Sequence, residues 1–307
     1  MTKVDILSFL RDAFVLLTSS FILNYKKGLC HRQMGCFVSN PTRLEKFAGE
    51  PLKYQPSISN ETTSIFVSKN NMLWKVCKGD PAIIRKTFMN NYRVKRLSIS
   101  PTIVHPQKMF KLSNNEIAIS MQNYPGDLFS FTLTSFDLER VFKGLTDIAR
   151  ALQFLHARGL AHRDIKPENI VVDKEHFRLI DFDFTSPVTE FILCGTKDYM
   201  YPGSNTQDWE QSDRSRRFDI YAFGRTVLFV FYCAASLQMI GHEKFISELQ
   251  HNNEIITSTK NPFSGVVADW FNVVLTCCSE TPTLKTFPTT NKTVDVTEVV
   301  YADDVVA

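Results

Sequence analysis

At 307 residues with a formal charge of +3, the chain has the size of one two-lobed enzyme, and its charge balance argues against a dedicated nucleic-acid binder or a polybasic membrane anchor. A content of 44% hydrophobic and 22% charged residues, with 12 Gly and 13 Pro, argues against disorder. Seven cysteines without paired spacing argue against a secreted disulfide framework and predict a reducing, intracellular setting, cytoplasm or nucleus.

In chain order, the apolar run from Ala13 to Leu23 is too short to cross a bilayer, and Asp5 and Asp12 spoil a signal-peptide start. No transmembrane segment is predicted. Ile6, Leu7, Leu10, Phe14, Leu17 and Phe21 recur at helical spacing, which predicts an amphipathic helix packed on the domain or on a partner. Cys30, His31 and Cys36 lie close together, but no second ligand pair follows at zinc-site spacing. They are assigned no metal.

Ser64 to Lys69 and Met72 to Lys78 alternate like paired strands about Asn70-Asn71, where Asn tolerates the positive φ of a tight turn. Residues 82–97 have helical periodicity, and a second hairpin pairs Lys108 to Leu112 with Ile117 to Met121 about Asn114-Asn115. Beyond Tyr124-Pro125-Gly126-Asp127 the texture turns helical. Phe136 to Gly159 reads as one amphipathic helix with Val141, Leu145, Ile148, Leu152 and Leu155 inward, and Phe218 to Ala235 as an almost uniformly apolar, buried one. The tail from Thr289 to Ala307 is polar, then acidic, with no core segment. The expected division is an extension over 1–45, a small lobe over 46–122, a larger lobe over 123–288 and a tail over 289–307.

Between the helices lies Leu160-Ala-His-Arg-Asp-Ile-Lys-Pro-Glu-Asn-Ile-Val-Val-Asp173, followed by the strand-like Phe177-Arg-Leu-Ile-Asp-Phe-Asp183. Phosphoryl transfer asks a protein to hold in-line geometry and to screen the charge of three phosphate oxygens. Asp164 suits the orientation and deprotonation of an acceptor hydroxyl. Lys166 can place an ammonium near a γ-phosphate. Asn169 and Asp181 offer hard oxygen ligands of the kind Mg²⁺ prefers.

Together these segments resemble the catalytic loop and metal-binding strand of the eukaryotic-type protein kinase superfamily, over roughly Ser64 to Thr286. The resemblance implies an α+β, two-lobed fold: an antiparallel-sheet lobe with one helix, and a larger, mainly helical lobe. It implies Asp164 and Lys166 as catalytic residues, Asn169 and Asp181 as metal ligands, and ATP with Mg²⁺ as cofactors. The strand lysine falls to Lys75, with Lys78 its competitor, and Met121, Gln122, Asn123 and Tyr124 would form the gatekeeper and the hinge that reads adenine. Cys194-Gly-Thr-Lys-Asp-Tyr-Met-Tyr-Pro-Gly203 resembles the substrate-docking segment, with Thr196 placed to bond the catalytic Asp and Lys. Asp219 resembles the residue that holds the catalytic-loop backbone.

Four positions depart from that pattern. Tyr54 to Thr63 lacks the glycines that bring backbone N–H groups against phosphates, which predicts a weaker grip on ATP. The helix over 82–97 has no acid to position Lys75; Asn90 falls at that place, and a carboxylate from elsewhere is the alternative. Asp183 replaces a turn glycine, where Asp tolerates positive φ and would add a carboxylate near the metals. Tyr201-Pro202-Gly203 lacks the usual acid, and Lys285 stands in its partner's place. Thr185, Ser186 and Thr189 are candidate phosphosites, with Arg163 as their partner.

The expected function is a serine/threonine protein kinase acting on protein substrates, similar to kinases carried by large DNA viruses and so acting in a host cell. A pseudokinase serving as a nucleotide-binding or scaffolding module is the alternative, and a small-molecule kinase the third reading.

Overall fold

The computed structural model describes residues 41–134, 138–174, 176–190, 192–201, 211–239, 276–278, 284, 286–288 and 293–295. The expected N-terminal amphipathic helix, Cys30, His31, Cys36, Pro202, Gly203 and Lys285 lie outside them. No helix among the described residues is long and apolar enough to cross a membrane.

Five strands form one antiparallel sheet in the order β1-β2-β3-β5-β4: β1 Leu52–Tyr54, β2 Thr63–Ser68, β3 Met72–Lys78, β4 Lys108–Ser113 and β5 Glu116–Gln122. Alternation along β3 gives the sheet two different faces. Trp74 and Val76 join Phe66, Leu112 and Ala118 on one face. Cys77 joins Ile117, Ile119 and Met121 on the other. The first face is covered by a helix that the sequence reading did not foresee, α1 (Pro41–Ala48), which buries Leu44 and stacks Phe47 on Phe110 at 4.5 Å. Residue 45 lies inside α1, so the expected boundary between extension and small lobe cuts an element.

The second face meets α2 (Pro81–Lys95), which starts at Pro81 because Asp80 Oδ1 accepts the N–H groups of Ala82 and Ile83 at 2.8 and 3.4 Å. The β2–β3 turn has Asn71 at φ 56°, as its sequence predicts, whereas Asn114 and Asn115 make their turn without positive φ.

The larger lobe begins with α3 (Leu128–Thr134), which the sequence reading did not foresee, and α4 (Leu138–His156), which falls within the helix expected over Phe136 to Gly159. Its core gathers Val141, Leu145, Ile148, Leu152 and Leu155 of α4 with Tyr221, Phe223, Val227 and Phe229 of α5 (Gln211–Met239). Short ribbons pair β6 (Leu160–Ala161) with β9 (Ser186–Pro187), and β7 (Ile170–Val172) with β8 (Phe177–Leu179). A further pair, β10 (Thr286–Pro288) with β11 (Thr293–Asp295), puts a hairpin across the expected start of the tail. Val104 N–H donates to Leu179 O at 3.0 Å and Leu179 N–H to Thr102 O at 2.9 Å, tying the strand before Asp181 to the segment that follows α2.

One buried carboxylate couples α5 to the loop above it. Asp219, 1% exposed, accepts the backbone N–H groups of His162 at 2.8 Å and Arg163 at 2.7 Å, and its Oδ2 lies 2.9 Å from His156 Nε2. Burial alone would raise this carboxyl, but the hydrogen bond and charge of His156, with His162 and the Arg163 amide, bring it below the usual carboxylate range.

Two stability predictions follow from this packing. A Cβ on Gly144 of α4 would fall 2.2–2.4 Å from ring atoms of Phe177, so Gly144→Ala should destabilise by about 1–3 kcal/mol despite better helix propensity, read as a lower melting temperature. Asp219 has a depressed folded pKa, so its stabilisation is present above the unfolded carboxylate value near ~4 and is lost as pH falls through the folded value. Asp219→Asn should therefore melt lower than wild type at pH 7, with the gap narrowing as melts are taken toward pH 3; a gap independent of pH would refute this account.

Candidate active site

The loop held by Asp219 brings together most of the residues singled out in the sequence. Arg163 turns the chain at φ 72° and a one-turn 3₁₀ segment at Pro167–Asn169 follows, so that Asp164, Lys166 and Asn169 converge. Asn169 Nδ2 donates to Asp164 O at 2.8 Å and to Asp164 Oδ2 at 2.9 Å. Lys166 Nζ lies 3.1 Å from Asp164 Oδ2 and donates to Thr196 Oγ1 at 2.8 Å. Thr196 in turn donates to Asp164 Oδ1 from its hydroxyl at 2.8 Å and its backbone N–H at 2.9 Å. The expected docking segment and catalytic loop thus share one carboxylate. Gly195, at φ 120°, makes this possible, since a Cβ there would lie 2.5 Å from Arg163 O.

Lys75, rather than the exposed Lys78, points into the cleft. Its Nζ bonds Asp181 Oδ1 at 2.7 Å and Asp183 Oδ2 at 2.8 Å. Burial lowers the ammonium's pKa, but the two carboxylates outweigh it and hold Lys75 well above its ordinary value. Burial likewise raises Asp181, and Lys75 more than reverses this. Asp183 is raised, by burial first and by the neighbouring charge of Asp181 second.

The turn after β8 differs from expectation. Positive φ falls at Asp181, at 64°, and not at Asp183, which occupies the glycine position with an ordinary backbone. Asp183 is anchored by α2: Asn91 Nδ2 donates to its Oδ1 at 2.9 Å and Asn90 Nδ2 to its backbone O at 2.6 Å. Sequence counting placed Asn90 alone at the missing acid's position and missed Asn91. The unmatched Lys75 and the surplus Asp183 were the available signal.

The segment where the glycine-rich loop was expected contains a 3₁₀ turn at Pro56–Ile58, and the N–H groups of Ile58, Ser59 and Asn60 donate to Gln55 O, Pro56 O and Thr63 O at 3.4, 3.4 and 2.8 Å. Asn60 Oδ1 accepts from Thr62 N at 3.0 Å and Thr63 N at 2.8 Å, and Ser59 Oγ accepts from Ile65 N at 2.9 Å. Phosphates therefore find few main-chain donors there. In the segment expected to form the hinge, Met121 is buried, and Gln122 Nε2 reaches Asn71 O and Asn123 O at 3.4 and 3.3 Å. Asn123 N–H donates to Asn71 O at 3.1 Å, so Asn123 is tied to the β2–β3 turn, and Tyr124 follows it under Arg178, 5.6 Å from the ring centroid.

Two phosphosite expectations are corrected. Thr185 and Ser186 are fully buried, the latter in the β6–β9 ribbon opposite Ala161, and only Thr189 of the three is exposed. Arg163 Nη2 donates to the carbonyls of Pro187 and Glu190 and to Ser215 Oγ, and so holds the segment's backbone.

As donors to a cation, Asn169 has its amide nitrogen committed to Asp164, leaving Oδ1 as its acceptor, and Asp181 is a partly exposed carboxylate. Hard oxygens of this kind fit Mg²⁺ better than a softer metal. Among the described residues no cluster of three His, Cys, Asp or Glu forms an all-protein metal cage.

Comparison with known proteins agrees with this geometry. Residues 57–286 match the family model described as "Protein kinase domain". The chain is 34% identical over 121 residues to a "cAMP-dependent protein kinase, catalytic subunit-like" from Caenorhabditis briggsae, a stretch covering 38% of this chain and 31% of that protein. It is 29% identical over 130 residues to the "Dual serine/threonine and tyrosine protein kinase" of Mus musculus and of Homo sapiens, covering 41% of this chain and 13% of each. The matched stretch is therefore a minor part of these relatives. Since the kinase model spans most of the sequence and its two lobes and catalytic loop are those of the fold described above, the chain belongs to the protein kinase family.

Proposed function

We propose that the protein transfers the γ-phosphoryl group of ATP to Ser or Thr hydroxyls of protein substrates. The observation that carries this reading is the closed hydrogen-bonded set of Asp164, Lys166, Asn169 and Thr196. In the proposed reaction the acceptor oxygen forms a bond to the γ-phosphorus, the bond from that phosphorus to the bridging oxygen breaks, and ADP leaves. Asp164 orients the hydroxyl and takes its proton. Lys166 places its ammonium where charge gathers on the transferred group, and Lys75 holds the nucleotide phosphates. Asn169 and Asp181 are the residues that would hold Mg²⁺. When bound, Mg²⁺ screens the phosphate charge.

Preference for Ser and Thr is inferred from Thr196, whose hydroxyl bridges Lys166 and Asp164 and narrows the space over the carboxylate. The setting inferred is intracellular, from the cysteine pattern, and a host cell follows from the resemblance to kinases of large DNA viruses. A second reading, a nucleotide-binding or scaffolding module without transfer, draws support from the loop over 55–62, where the N–H groups of Ile58, Ser59, Asn60 and Thr62 are already bonded.

The test is radiolabel transfer from Mg-ATP to Ser, Thr and Tyr peptides and to generic protein. Asp164→Asn should lower transfer at least about 100-fold while leaving nucleotide binding within about threefold. Equal transfer by wild type and Asp164→Asn would remove the enzyme reading, and binding without transfer by wild type would favour the module. Thr196→Val should cost about tenfold on Ser and Thr peptides, from the loss of one charge-assisted bond; Tyr peptides phosphorylated as well as Ser peptides would overturn the specificity.

A further inference from the structure

We propose that Asp183 is the positioning carboxylate of the nucleotide-site lysine, taking the role that an acid on helix α2 plays elsewhere in the family, with Asn91 as the tether joining α2 to it. This rests on the kinase reading only in assigning Lys75 to the nucleotide. Helix α2 has no Asp or Glu between Pro81 and Lys95, so it cannot itself neutralise Lys75. The position one turn-residue past Asp181 and Phe182 supplies the charge instead.

The geometry forms a relay from helix to lysine. Asn91, 2% exposed, has its amide nitrogen divided between Thr87 O of its own helix at 3.0 Å and Asp183 Oδ1 at 2.9 Å. The other oxygen of the same carboxylate, Oδ2, faces Lys75 Nζ at 2.8 Å. Asn90, fully buried, fixes the backbone of the same residue at 2.6 Å, and its Oδ1 is itself held by Arg93 Nη1 at 2.8 Å. Both oxygens and the carbonyl of Asp183 are thus used, and Asn90 and Asn91 are bound to a single residue. A surface turn Asp would need neither amide.

Two carboxylates on one ammonium also divide the work. Asp181 is a candidate metal ligand, so its bond to Lys75 at 2.7 Å competes with a cation. Asp183, whose free oxygen is taken by Asn91, keeps Lys75 paired when Asp181 is drawn away. The α2 amides set where that carboxylate sits, so the helix still positions the lysine, one hydrogen bond removed.

The full chain is compared with Asp183→Asn, Asn91→Ala and the exchange N91D/D183N, which returns the acid to α2 at unchanged net charge. Affinity for ATP is read with a fluorescent nucleotide analogue in EDTA and with Mg²⁺, alongside KM, kcat and melting temperature. Asp183→Asn should weaken ATP about tenfold in EDTA and raise KM to match, with a smaller fall in kcat. Asn91→Ala, which keeps the carboxylate but frees it, should weaken ATP about threefold, and the exchange should regain most of what Asp183→Asn loses. Unchanged affinity in both single variants would overturn the proposal, as would an exchange that melts like wild type and regains nothing. A loss confined to the Mg²⁺ arm would make Asp183 a metal ligand and overturn it as well. If wild type binds ATP with this pattern yet transfers no phosphate, the kinase reading fails and the role of Asp183 stands. Should Asp183→Asn fail to fold, Asn91→Ala and the exchange decide the matter.

Discussion

The buried carboxylate of Asp219 is the constraint from which the rest of the site follows. A catalytic loop pressed against the core of the larger lobe must bury backbone N–H groups that no strand or helix satisfies, and an unpaired buried amide costs about 1–3 kcal/mol. Asp219 accepts two of them, from His162 and Arg163, and is itself kept charged by His156 at the end of α4. The loop thereby gains one conformation, with Arg163 at positive φ, and Asp164 emerges on the cleft side. His162 then reaches forward to Ile180 O at 2.9 Å and packs against Phe182, carrying the order of the loop into the segment that bears Asp181 and Asp183.

The small lobe meets the loss of two family features differently. Where the helix acid is absent, another carboxylate has entered the same few ångströms, and two buried amides of α2 converge on it. Lys75 is therefore paired with two carboxylates. Where the glycines are absent, Ser59 and Asn60 build a turn in which the N–H groups of Ser59, Asn60 and Thr62 are already bonded. Charge can be supplied from several directions in three dimensions. A main-chain cradle has to be built from the local chain, and side chains that cap the turn exclude it.

Legibility in the sequence followed the range of the interaction. The β2–β3 hairpin was readable because alternation and the Asn70-Asn71 turn are local, and β3 spans Met72–Lys78 as its pattern says. Helix α1 was missed because its eight residues carry too few apolar positions for a period, and it is a helix in place mainly through Leu44 and Phe47 on the sheet. Asn91 was missed because adjacent helical residues lie about 100° apart, and only the helix's seating shows which of them faces the cleft. Thr185 and Ser186 read as candidate phosphosites by residue type, yet both are buried, Ser186 in the β6–β9 ribbon.

Residue identity and spacing gave a strand-rich stretch followed by a helical one, the loop that carries Asp164, Lys166 and Asn169, and the absence of an acid between Pro81 and Lys95, and the family resemblance these motifs carry implied the α+β two-lobed class. These are properties of contiguous stretches, and short-range backbone rules suffice to read them. Only the tertiary structure decided that Lys75 is paired, by which carboxylate, and through which helix amide, because Lys75, Asn91 and Asp183 come from three separate elements. The bond of Thr196 to Asp164, 32 residues away, was expected from the resemblance, and the structure supplies its geometry. Contacts of that separation depend on how the lobes bury their faces, and no local pattern in the chain records them.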